Sequence, residues 1–388
     1  MPEEARSKRI TRKIDMNEVL YLDNAATTIP DDGCLTASFA ELKNGGFYNP
    51  SALYRGGLSE KRKIGEIRKT LCSFFGNNYD AVFTSCGSEA DNMAVFSFAV
   101  RGNAVTDSGE HSAIYNAFKE LKNRGLETRF AALNKNGSVN VEKLLELIDE
   151  KTTFVSIVHV NNETGAINDV NDIAERVKKI NPSIIFHVDG VQGFLKIPFK
   201  PNKHVDLYSV SAHKICALKG VGALVYRKGL HLRPLIIGGG QEDGLRSGTE
   251  NTFGLSVFDK AMKKYCDVSG NFERIQLANA RFKELMSSHV KFISDNNCSP
   301  YILSFSAEGV KAEIIQRVAD DNGLILGTGS ACSSKIGTSR IITACGYDKK
   351  TAEGVLRASF IFSSDVKQAE DAADILIPII ENLRKALR

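Results

Sequence analysis

The chain has 388 residues, 43% of them hydrophobic and 25% charged, with 50 basic against 46 acidic side chains and a formal net charge of +4. That length holds two domains or one large α/β domain with an extension, and the near balance of charge speaks against nucleic acid as a direct partner. No apolar run is long enough to span a membrane, and residues 1–15 lack the apolar core of a secretory signal.

The eight cysteines (34, 72, 86, 216, 266, 298, 332 and 345) form no Cys-x-x-Cys or other zinc spacing. In a large chain without a signal they read as reduced thiols of a cytoplasmic protein, and no metal site is expected.

Tyr21-Leu-Asp-Asn24-Ala-Ala-Thr-Thr predicts a short strand running into a polar turn. A second turn, Tyr48-Asn49-Pro50-Ser51, resists helix because of its proline. Leu58, Ile64, Ile67, Leu71 and Phe74 recur at mostly three- and four-residue steps and predict an amphipathic helix over 57–75. The apolar run 81–85 predicts a strand, followed by the turn Cys86-Gly87-Ser88 and a helix over 89–99. A small-residue turn opening a helix leaves backbone N–H groups for an anion. With no Walker lysine and no Gly-x-Gly-x-x-Gly, the pattern allows a phosphate and does not indicate a nucleotide.

Further strands then end in polar clusters. Residues 154–158 lead to His159-Val-Asn161-Asn162-Glu163, residues 184–188 to Asp189-Gly-Val-Gln192, and residues 207–210 to Ser211-Ala-His213-Lys214. Polar groups at the carboxyl ends of several strands suggest one site at one sheet edge. A lysine ending a buried strand has its pKa lowered and becomes a usable amine, able to form a Schiff base with a carbonyl; the alternative is a lysine snorkelling into water. Asp189 would keep a ring nitrogen protonated or merely cap the next turn. These are the parts a pyridoxal phosphate (PLP) site needs, since the protonated ring acts as an electron sink. His111 could stack on such a ring and move protons, or stand exposed on its loop.

The glycine-rich loop 238–251 is costly to order and reads as a binding loop. A domain boundary is placed near residue 255. Farther on, Cys332 sits among small polar residues in Gly329-Ser-Ala-Cys332-Ser-Ser, a setting suited to a mobile nucleophile. Arg357 interrupts the strand-like run 355–360 and could fork onto a carboxylate or form a structural ion pair. The last helix carries its apolar stripe from Val366 to Leu387, begins at Asp365 with a capping-box-like signal toward Gln368, and is expected to kink at Pro378.

Together these motifs resemble the cysteine desulfurases of the NifS/IscS type, from about residue 20 to the C-terminus and in the same order. The resemblance implies PLP fold type I, an α/β architecture: a large domain with a mostly parallel sheet (20–255) and a smaller α/β domain from both chain ends (1–19 and 256–388). It implies a homodimer that removes sulfur from L-cysteine, gives L-alanine, and leaves a persulfide on Cys332 for a sulfur-acceptor protein. Carried over by motif, Lys214 would be the Schiff-base lysine, Asp189 the partner of the ring nitrogen, and Gln192 and Asn162 would face the phenolic oxygen. Gly87, Ser88, Ser211 and His213 would hold the phosphate, with Thr249 reaching across the dimer. His111 would stack on the ring and move protons, and Arg357 with Asn49 would hold the substrate carboxylate. Departures from the usual pattern are Cys86 in the phosphate turn, Gly190-Val-Gln192-Gly after Asp189, and Cys216-Ala-Leu after Lys214. An aminotransferase, a selenocysteine lyase or a catalytically silent binding platform remain the alternatives; Cys332 speaks against a transaminase, which needs no thiol there, and visible absorbance from a bound cofactor would speak against the platform.

Overall fold

Apolar runs closed by polar turns become the strands of two sheets, which the computed structural model describes within residues 19–329 and 338–387. The short strand β1 (Leu20–Leu22) comes first. Then follow β2 (Tyr79–Thr84), β3 (Asn103–Asp107), β4 (Glu127–Ala131), β5 (Thr152–Val158), β6 (Ile185–Asp189), β7 (Leu207–Ser211) and β8 (Gly222–Arg227). These last seven form one sheet in the order β2-β8-β7-β6-β5-β3-β4. From β7 to β4 all neighbours run parallel, while β8 is antiparallel to both β7 and β2.

Both faces of this sheet are covered, which is why its strands read as nearly continuous apolar runs. Helices α1 (Asp32–Lys43), α2 (Arg55–Ser73), α3 (Gly87–Phe98), α4 (Ser112–Asn123), α5 (Val170–Ile180) and α6 (Thr252–Lys264) do the covering. On one face Phe154, Leu207 and Leu224 pack with Ala90 and Met93 of α3 and Phe118 of α4. On the other, Val155, Phe186, Val188 and Val210 join Ile64 and Leu71 of α2 and Ile173 and Val177 of α5. Alternate residues of one strand thus enter different cores, as the two-residue period of a strand requires.

The second sheet takes β9 (Lys291–Phe292), β10 (Ile302–Ser306), β11 (Leu324–Thr328) and β12 (Val355–Ser359) in the order β1-β11-β12-β10-β9. Strand β1 lies in the span that the sequence assigned to the larger unit, yet it pairs in parallel with β11, Leu20 opposite Leu324. Helices α7 (Val268–Met286), α8 (Ala312–Asp321) and α9 (Val366–Ala386) pack with this sheet, α9 lying along α7. Asp365 caps α9 by accepting from the Gln368 N–H at 2.8 Å. Pro378, where a kink is expected, lies inside a helix that continues on both sides of it. No described helix is long and apolar enough to cross a membrane.

Candidate active site

The carboxyl ends of β5, β6 and β7 and the start of α3 meet at a cavity of about 340 Å³, to which β11 and β12 of the second sheet also contribute. That is near the lower end of the usual range for small-molecule sites, roughly 300–1,000 Å³. Most of the residues singled out in the sequence line it: Gly87, Ser88 and His111; Asn162, Asp189 and Gln192; Ser211, His213, Lys214 and Arg357. Asn49 and Thr249 do not. Both are exposed, and the Asn49 side chain accepts from the Ser51 N–H instead. Cys332 lies outside the described residues.

Lys214 closes a short turn of 3-10 helix that follows β7. Its Nζ donates to the carbonyls of Ala25 and Ala26 at 2.6 and 2.7 Å, so the polar turn after β1 holds the amine at the cavity. The same turn is stitched to the lysine segment by Thr28, whose Oγ1 donates to the His213 carbonyl and accepts from the Cys216 N–H. Burial first, then the charges of Lys196 and Arg357, bring the Lys214 pKa down to about 7. An amine at that pKa is a nucleophile and a base near neutral pH, as the sequence argument requires.

Asp189 ends β6 and accepts from the Val191 N–H at 3.0 Å. Burial raises its pKa, while His111, that N–H and Lys214 favour the charged form. His111 caps α4, its Nδ1 accepting from the Ala113 N–H at 3.2 Å, so the neutral ring carries its proton on Nε2. Gln192 donates to the Ala25 carbonyl at 2.8 Å and accepts from the buried Lys196 at 3.2 Å.

Arg357, on β12, reaches the cavity from the second sheet. It donates from Nη2 to Asp23 at 2.7 Å and from Nη1 to the Asn162 carbonyl at 2.7 Å. The structural ion pair and the place at the cavity wall therefore coexist in one side chain. Gly327 stands opposite it in the β11–β12 register. A Cβ there would lie 2.9 Å from Arg357 Nη2 and 3.0 Å from Nε, so only glycine leaves room for the guanidinium.

The glycine-rich loop is tied to the body of the protein. Buried Glu242 pairs with Arg68 at 2.8 Å and accepts from the Phe83 N–H at 2.8 Å, and Arg246 pairs with Glu89 at 3.0 Å.

Sequence reasoning missed Asp91 and Glu163, both at the cavity. Asp91 is one helical turn beyond Gly87 and so shares its face of α3, a spacing that could have marked it. Glu163 was quoted only as the end of a motif; its carboxylate accepts from Ser339.

The donor set fits PLP. Cys86 caps α3 without a side-chain hydrogen bond, which leaves the first-turn N–H groups for a phosphate. At Gly87 a Cβ would come within 2.7 Å of Val191 Cγ2 and 3.3 Å of Ser211 Cβ, so glycine lets the helix start lie close against the segments that follow β6 and end β7. Asn162 Oδ1, Asp91 Oδ1 and Arg357 Nε are buried there without a hydrogen-bond partner. An anion cradle, a neutral-range amine and a buried carboxylate at one cavity match a phosphate-bearing carbonyl compound with a basic ring nitrogen.

Comparison with known proteins agrees. The profile of the class-V aminotransferases matches residues 20–371. A cysteine desulfurase IscS of Clostridium botulinum is 33% identical over 390 residues, covering 96% of each chain. A cysteine desulfurase of Nostoc sp. is 31% identical over 385 residues, 94% of each. The solved structure of a NifS-like protein superposes with a TM-score of 0.87 at 30% identity, covering 94% of this chain and all of that one.

Proposed function

The chain belongs to the class-V aminotransferases and, among them, to the cysteine desulfurases of the NifS/IscS type; from that premise we propose how its residues act. It is a PLP-dependent enzyme that takes sulfur from L-cysteine, and the observation that carries this reading is the amine of Lys214, held at a phosphate-type cavity beside Asp189.

Lys214 would hold the cofactor, with Asp189 facing the ring nitrogen, Gln192 and Asn162 the phenolic oxygen, and Gly87, Ser88, Ser211 and His213 the phosphate. Bound there, PLP supplies a sink for the electrons left at the substrate Cα. Arg357 receives the substrate carboxylate with the nitrogen its ion pair leaves free. The Lys214 amine then takes the Cα proton, which its lowered pKa permits near pH 7. His111, protonated on Nε2, would stack on the ring and move protons to and from the substrate. The Cys332 thiolate attacks the substrate sulfur: its bond to that sulfur forms as the Cβ–S bond breaks, and one proton added at Cβ and one returned to Cα complete alanine. Sulfur leaves as a persulfide on Cys332, for a sulfur-acceptor protein of iron–sulfur cluster assembly or tRNA thiolation.

A homodimer accounts for the residues the cavity lacks. Asn49 and Thr249 are exposed, as are Leu53 (89%) and Ile237 (87%), side chains that a partner would cover. In this reading Thr249 of the partner subunit completes the phosphate site. The described cysteines are unpaired, which supports a cytoplasmic setting. The division into units of 20–255 and of 1–19 with 256–388 is also proposed.

The test is Cys332→Ser. Serine is hard and protonated at neutral pH, whereas the sulfur needs a soft nucleophile. The variant should bind cofactor and cysteine with the usual spectral change yet release almost no sulfide. Sulfide at the parent rate, or a persulfide mapped by mass spectrometry to Cys86, Cys216 or Cys345, overturns the assignment.

A further inference from the structure

Below the cavity floor, three neighbouring strands carry polar residues where their other inward positions are apolar. Ser156 of β5, His187 of β6 and Ser209 of β7 share the face that carries Phe154 and Leu207, and all three are buried. The His187 ring bridges them, Nδ1 to Ser156 Oγ at 2.9 Å and Nε2 to Ser209 Oγ at 2.9 Å. A carboxyl group stands at each end of this row. Ser156 Oγ lies 3.1 Å from Glu110 Oε1. Asp91 stands beside Ser209 at the other end, its Oδ1 3.8 Å from His187 Nε2. Both acids are fully buried, and each keeps one oxygen, Glu110 Oε2 and Asp91 Oδ1, without a hydrogen-bond partner.

Each serine has one proton to give and neutral His187 has one N–H. The row can therefore point in only two directions. If Glu110 is ionised, Ser156 donates to it, His187 donates from Nδ1, Ser209 donates to Nε2, and Asp91 must hold its own proton and donate to Ser209. If Asp91 is ionised, every donor reverses, His187 carries its proton on Nε2, and Glu110 holds the extra proton. One proton is thus shared between two carboxyls separated by three side chains. Burial keeps His187 neutral, its pKa down at about 3, and raises both acids well above the ordinary range, so they do not ionise together.

We propose that this row is a proton relay whose direction is set by the charge at Asp189, so that Asp91 ionises when a protonated ring nitrogen is bound there and its proton is stored on Glu110. This rests on the PLP reading given above. Asp91, His111 and Asp189 place ligand-type atoms within 4.8 Å of one another, so Asp91 feels the charge at that end of the cavity directly. Without the cofactor, two adjacent buried carboxylates cannot both ionise, and Asp91 takes the proton. With a positive ring nitrogen, a second negative charge is favoured. The Asp91 proton passes to Ser209, that of Ser209 to His187 Nε2, that of Nδ1 to Ser156, and that of Ser156 to Glu110. No water is needed and no charge is created. The other ionisable groups facing the row are Asp107, Cys86, Arg340 and Lys214. Asp91 is then a positioning residue that supports ring protonation beyond what Asp189 supplies.

The experiment reads the tautomer of His187 by ¹⁵N NMR in the holoenzyme and again after reversible removal of the cofactor. The expected result is Nε2–H in the holoenzyme and Nδ1–H without cofactor. Asp91→Asn, which cannot ionise and can still donate to Ser209, should hold Nδ1–H in both. A visible absorption band from Lys214-bound cofactor is recorded on the same samples. A band with an unmoved His187 tautomer, or an Asp91→Asn protein that still switches, overturns the relay alone. Absence of the band overturns the PLP reading and, with it, the coupling of the row to a ring nitrogen.

Discussion

A lysine held away from water opposes folding wherever it is charged. In the cofactor-free protein Lys214 has a pKa near 7, against 10.5 for the free side chain. Below pH 7 both folded and unfolded chains carry the proton, and the penalty is complete. Between pH 7 and 10.5 the unfolded chain still binds a proton that the folded one has released, so stability rises with pH through that window. Lys214→Met should therefore raise the melting temperature of cofactor-free protein most below pH 7, the gain shrinking as pH rises toward 10.5. A gain independent of pH would show that the amine is not the source. That this lysine lies at the cavity was legible from its place after an apolar run. That Ala25 and Ala26 hold it was not, because backbone carbonyls leave no trace in sequence. His187 was missed for a related reason: a polar residue inside a buried run looks like noise until its neighbours across the sheet are known.

Elements place side chains by register, and β11 with β12 shows how narrowly. Gly327 faces Arg357, and its missing Cβ is the space the guanidinium occupies. Gly327→Ala should push Arg357 from Asp23 and weaken its hold on a carboxylate. The cysteine KM should rise on the order of tenfold, about the worth of one charge-assisted hydrogen bond, with cofactor occupancy unchanged. An unaltered KM would place the carboxylate elsewhere. A second element prediction concerns stability alone. At the start of β7, buried Asp206 pairs with Lys178 at 2.6 Å and accepts from the Phe186 N–H at 2.8 Å. Asp206→Ala leaves a cation shielded from water without its partner and should cost about 3–5 kcal/mol in urea titration. A loss below about 1 kcal/mol would mean that water reaches the site. The strands of the larger sheet were readable because each is a short apolar run closed by a polar cluster. The membership of β1 was not readable, since its partner β11 lies near the other end of the sequence and pairing is set by tertiary packing rather than local pattern.

At the scale of the whole molecule, Asn49 and Thr249 fall where one chain cannot use them. If a second copy supplies them, the exposed Leu53 and Ile237 belong to its contact surface. Leu53→Asp combined with Ile237→Asp should then yield a monomer in sedimentation that has lost most of its sulfide release. A parent protein that sediments as an active monomer would end the dimer proposal.

The pairing of Leu20 with Leu324 also has a meaning for a chain still on the ribosome. The strands of the larger sheet lie between residues 79 and 227, and a nascent chain can begin to assemble them early. Strand β1 must wait for β11, and Asp23 for Arg357, until translation is nearly over. Half-made chains therefore carry Lys214 without Arg357, which in the proposed mechanism receives the substrate carboxylate. On the proposed role of Arg357, substrate selection would be acquired last, at the moment the two ends of the polypeptide meet.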